Sequence, residues 1–165
     1  MAINLLKLSC AYLLALSLSA LSARSQSDWA IGQRYAQLRS EISSSNEQLL
    51  LQETSFLAAQ PGLKPWALLL RAEGLIALRN YEQAKTSLAT IPPTGAVALH
   101  AKALALEVAA LTGQRITKDQ IKLLKLEAQE YGLRELNSKL LLLEAIALNQ
   151  NGEVKSAVQA LQEIR

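Results

Sequence analysis

Two glutamates and one histidine are the residues whose types and settings could do chemistry. Glu73 and Glu144 fall inside apolar runs, LLLRAEGLIAL and LLLLEAIAL. Paired carboxylates do acid–base work, and burial raises a carboxyl pKa toward that of a general acid. His100, the single histidine, sits in an Ala-rich stretch with no Cys or carboxylate four residues to either side, so helical metal-ligand spacing is lacking. A Ser–His–Asp triad would have to join His100 to Asp28 or Asp119, and no strand–turn–helix nucleophile elbow accompanies it. The seven glycines form neither G-x-G-x-x-G nor a Walker-type loop. The catalytic reading is therefore narrow: a small enzyme using Glu73 or Glu144 as an acid.

The elements that would position these residues begin after an N-terminal leader. Lys7 precedes an uncharged run from Leu8 to Ala23 made mostly of Leu, Ala and Ser. Small residues then lie two apart, Ala20 with Ser22 and Ala23 with Ser25. A short positive region, an apolar core and a small-x-small site predict a signal peptide over residues 1–25, cut after Ser22 or Ser25. The run is shorter than the roughly 20 residues of a spanning helix. A retained anchor in the inner membrane is the alternative. Cys10 lies ahead of most of the apolar run, which is the wrong order for a lipidation site.

Loss of residues 1–25 would remove Lys7 and Arg24 from 17 basic residues, leaving 15 against 14 acidic ones, a net charge of +1. No basic stripe then remains to meet a phosphate backbone, which argues against nucleic-acid binding. The remaining chain would also carry no Cys, so neither disulfides nor thiolate metal sites are expected. No cofactor or metal is implied.

Half of the 165 residues are apolar and only 4% aromatic, a Leu- and Ala-rich composition that suits packed helices. Ile31, Tyr35, Leu38 and Ile42 follow helical spacing, with Ser27 or Asp28 as caps. Ser43–Ser45 break that pattern, and Asn46 can cap the next helix, EQLLLQETSFLAAQ. Pro65 suits a helical first turn. Further helices are expected from Trp66, from Tyr81, from Ala96, after a possible Thr117–Gln120 capping box, from Leu133 and from Glu153. The sum is about eight helices after the leader. Residues 26–165 are expected to form a single α-helical domain, opened by a helical pair over 28–60.

Sliding the Trp66 pair onto the last pair by 73 residues superposes Leu68 on Leu141, Ala72 on Ala145 and Leu75 on Leu148. Beyond the turn, Tyr81 falls on Val154, Ala84 on Ala157, Leu88 on Leu161 and Ile91 on Ile164. Two units of about 36 residues, with a middle hairpin between, are the mark of a helical solenoid. Glu73 and Glu144 fall one residue out of register, roughly 100° apart around a helix.

Over residues 66–165 this pattern resembles the tetratricopeptide repeat. Ala72 with Ala84, and Ala145 with Ala157, match that family's small residues, Gly152 its turn glycine and Tyr81 its aromatic. Arg79–Asn80 and Val154 depart from the pattern, and its tryptophan is absent at Leu68 and Leu141. The resemblance implies a right-handed array of antiparallel helical hairpins. It also implies a groove lined by first-helix residues: Trp66, Leu69 and Ile76 in one unit, Lys139, Leu142, Ile146 and Asn149 in the last. That groove is largely apolar and would take a partner's helix or peptide, unless residues 28–60 fold back over it. The expected function is a non-catalytic interaction module, a scaffold or assembly factor of a bacterial envelope complex. The expected location is periplasmic, with a membrane-tethered adaptor as the alternative.

Overall fold

The computed structural model describes residues 37, 47–60 and 62–164; the leader, the helix expected over 28–42 and its caps lie outside the described residues. Among the described residues there are seven α-helices, one 3-10 turn and no strands. They are α1 (Glu47–Ala58), α2 (Lys64–Ala77), α3 (Tyr81–Ala89), α4 (Ala96–Leu111), α5 (Lys118–Glu130), α6 (Asn137–Gln150) and α7 (Val154–Gln162). The 3-10 turn, Arg134–Leu136, leads into α6. These seven correspond to the second to eighth of the helices expected from sequence.

Local signals set their ends. Pro65 stands in the first turn of α2, where a missing N–H costs nothing. The Asn80 side chain accepts from Gln83 N at the start of α3. At α5 the capping box is complete: Thr117 Oγ1 accepts from Gln120 N, and Gln120 Oε1 accepts from Thr117 N.

One termination recurs. After α2, Arg79 N donates to Ile76 O and Asn80 N to Leu75 O, with Arg79 at φ +61°. The same pair of bonds closes α4 at Gly113 (φ +78°), α5 at Gly132 (φ +68°) and α6 at Gly152 (φ +82°). This is the Schellman cap, whose left-handed residue is normally Gly. Arg79 is the one non-glycine residue with positive φ among those described. The caps at 79, 113 and 152 are 34 and 39 residues apart, which together make the 73-residue period. The second interval is longer because α5 is longer than α3 and is preceded by the segment 114–117.

Packing follows the chain. Each helix lies against the next, and α2, α4 and α6 also pack on one another in succession. Ala72 and Ala84 are fully buried where α2 meets α3, and small side chains at such a crossing let the backbones approach closely. Leu69, Leu88, Ile91, Ala101 and Leu104 bind α2 and α3 to α4. A second cluster, including Leu99, Ala103, Ile121, Leu124, Leu140 and Leu143, binds α4 and α5 to α6. The segment Gln114–Arg115–Ile116 between α4 and α5 is closely held. Ile116 is buried, its N–H donates to Gln150 Oε1, and Gln150 Nε2 donates back to Gln114 O. A single apolar residue in a loop leaves no periodic trace, so sequence periodicity could not reveal this tie.

Candidate partner-binding site

The residues expected to line the groove separate into two sets. Leu69 is a core residue, buried because α4 is seated on it. Trp66 and Ile76 are half-buried beside it, and the Trp66 ring lies 6.1 Å from that of His100. These three side chains join α2 to α4. The four on α6 differ. Leu142 and Asn149 are exposed, and Ile146 is half-buried against the α4–α5–α6 cluster. Lys139 is half-buried and donates to Glu107 on α4 at 2.6 Å.

The residues weighed for chemistry, Glu73, Glu144 and His100, each have neighbours that engage them. Glu144 accepts from Lys125 of α5 in a half-buried ion pair. Glu73 is half-buried on α2 and engaged in an interaction of its own. His100 is largely covered, and its Nε2 lies 3.6 Å from Glu135. The repeat position shared by Arg71 and Glu144 has one task in both copies, which is to reach the helix preceding its hairpin. Arg71 Nε donates to Thr54 Oγ1 and Nη2 to Ser55 Oγ of α1, both at 2.8 Å. Burial there lowers the pKa of the Arg71 guanidinium from its usual value. Among the described residues every buried side-chain N or O has a hydrogen-bond partner, and no three His, Cys, Asp or Glu residues are grouped to hold a metal. No helix among the described residues is long and apolar enough to cross a membrane.

A cleft of about 350 Å³ opens between the end of α3, Pro92–Pro93 and α4, floored by Leu88, Ala98 and Ala101. Its basic rim consists of Lys85 and Lys102. Glu82 holds the first ammonium at 2.8 Å and Glu127 the second at 2.6 Å. With both charges met from within the chain, the cleft has no cation reserved for an anionic ligand.

Sequence reasoning missed the apolar face of α7. Val154, Val158 and Leu161 are exposed at i, i+4 and i+7, on one side of that helix. With Leu142 of α6 they make four exposed apolar side chains on the last hairpin. The signal that could have found them is the 73-residue repeat, once it is asked what covers each copy. The chain matches no protein-family model, no curated protein and no solved structure.

Proposed function

We propose that this protein is a non-catalytic interaction module of the bacterial cell envelope, built as a tetratricopeptide-like, right-handed array of helical hairpins. The observation that carries the reading is the packing order. Hairpin follows hairpin, with α4 packed on both α2 and α6. Such arrays present extended surfaces rather than enclosed sites. On α6, Leu142 and Asn149 remain open to a partner while Glu144 and Lys139 are taken up in ion pairs. The uncharged run from Leu8 to Ala23 supports export, with the mature chain beginning near Ala23 or Gln26.

The test is affinity purification through a C-terminal tag after mild crosslinking of intact cells. Wild type is compared with a Leu142→Glu/Ile146→Glu variant confirmed to be folded. A stoichiometric envelope partner, captured by wild type and lost from the variant, is the expected result. No partner, or one indifferent to the change, would sink the proposal. Intact mass of the exported species separates a cleaved leader from a retained anchor.

A further inference from the structure

The repeat shows what each hairpin buries within itself and what it needs from a neighbour. Some equivalent residues are buried in both copies: Ala72 and Ala145, Leu75 and Leu148, Ala84 and Ala157. Two other pairs are not. Leu69 is 2% exposed but its counterpart Leu142 is 43%, and Leu88 is 8% exposed but Leu161 is 45%. Tyr81 and Lys85, which flank α4, correspond to Val154 and Val158, both exposed and both apolar. What covers the first set is α4. It lays Val97, Ala101, Leu104 and Val108 there, at i, i+4, i+7 and i+11.

We propose that the end face formed by Leu142, Val154, Val158 and Leu161 is a seat for one amphipathic helix of a partner protein, held as α4 is held on α2 and α3. The seat continues an interface that the array already forms twice, α4 on the first hairpin and α6 on the second. The inference rests on the interaction-module reading and adds where the partner sits and what it presents. Where α6 is seated, Lys139 meets Glu107 and Glu144 meets Lys125. Thirty-nine residues after Glu107 and Lys125 stand Ile146 and Ile164, so neither ion pair has a counterpart there. The partner's contacting stripe is therefore uncharged, with small and branched residues in the spacing of Val97, Ala101, Leu104 and Val108. A single helix is the occupant because a single helix, α4, is what covers the equivalent residues Leu69 and Leu88.

The probe is a labelled peptide of residues 96–111, the α4 sequence itself, with lysine tails for solubility, titrated with the intact protein. Saturable binding is expected. It should weaken at least about tenfold, a loss of about 1.4 kcal/mol, in a Leu142→Glu/Leu161→Glu variant of unchanged helicity. A peptide carrying Ala101→Glu and Leu104→Glu should fail to bind, and Leu111→Glu in the protein, outside the seat, should change nothing. If the glutamate pair unfolds the chain, Leu142→Gln/Leu161→Gln takes its place. Absence of binding, or binding indifferent to the seat variants, overturns the proposal. So does a wild-type dimer that those variants dissolve, since the face would then belong to a second copy. Capture of an envelope partner without peptide binding removes the seat and leaves the module. Peptide binding without any captured partner removes the module instead.

Discussion

Truncating one repeat position in each of its two copies tests the account of the end face most directly. Leu69→Ala and Leu142→Ala delete the same three carbons from equivalent places on α2 and α6. At Leu69, fully covered by α4, the lost transfer free energy is about 2.4 kcal/mol and the cavity left behind adds to it, for roughly 3–4 kcal/mol in all. At Leu142, with 43% of its surface already in water, the transfer loss is at most about 1.4 kcal/mol, and water fills the space so that no cavity remains. A gap of about 2 kcal/mol would separate the two urea midpoints by roughly 1 M, for a slope near 2 kcal/mol/M. Leu88→Ala and Leu161→Ala should repeat the asymmetry. Equal losses at Leu69 and Leu142 would refute the reasoning, because Leu142 would then be covered in solution. Dependence on protein concentration would assign that cover to a second copy, and independence to residues of the same chain.

Three further outcomes follow from local geometry. Arg79→Gly relieves a left-handed residue at the α2 cap, and should stabilise by about 0.5–1 kcal/mol in thermal or urea unfolding, while Gly152→Ala should destabilise by about 1 kcal/mol. Thr117→Ala dismantles the capping box of α5 and should cost about 1 kcal/mol, most visibly as faster amide exchange in the first turn of that helix. Ala84→Leu inserts three carbons at a fully buried crossing of α2 and α3, and should cost about 1–3 kcal/mol or force the hairpin apart.

The helices were legible because Leu and Ala recur at helical spacing and Pro, Gly and Asn mark their ends; Pro65, Thr117 and Gly152 act at the positions their types indicated. Arg79 shows the limit. Its left-handed conformation is imposed by the hairpin, and only alignment with Gly152 reveals it in the sequence. The groove residues were legible as positions on first helices but not as surfaces. Leu69 and Leu142 are the same residue type in the same repeat place, yet one is core and the other exposed. The difference lies in whether a further helix is seated there, which no local window records. Glu144 was read as a possible acid because its neighbours are apolar. Its partner Lys125 lies nineteen residues away on another helix, beyond the reach of a helical pattern.

The same burial pattern says how binding and stability are linked. The described residues that α7 buries are small: Ala157 and Ala160, against Ala145 and Leu148 of α6. Alanine burial brings little hydrophobic free energy, and the larger side chains of α7, Val154, Val158 and Leu161, face outward. The Lys118 ammonium to Glu153, and Arg115 to Asn151, tie the turn before α7 to the start of α5 and the segment ahead of it, but these contacts are exposed, where each is worth little. Thus α7 is held with little hydrophobic burial of its own, and it carries most of the exposed apolar stripe. A helix laid over that stripe would bury the residues that α7 leaves in water, so the partner's cover and the ordering of α7 are one free-energy change. Amide exchange resolves it: in the free protein α7 should exchange well ahead of α2 and α4, and bound peptide should slow α7 more than any other helix.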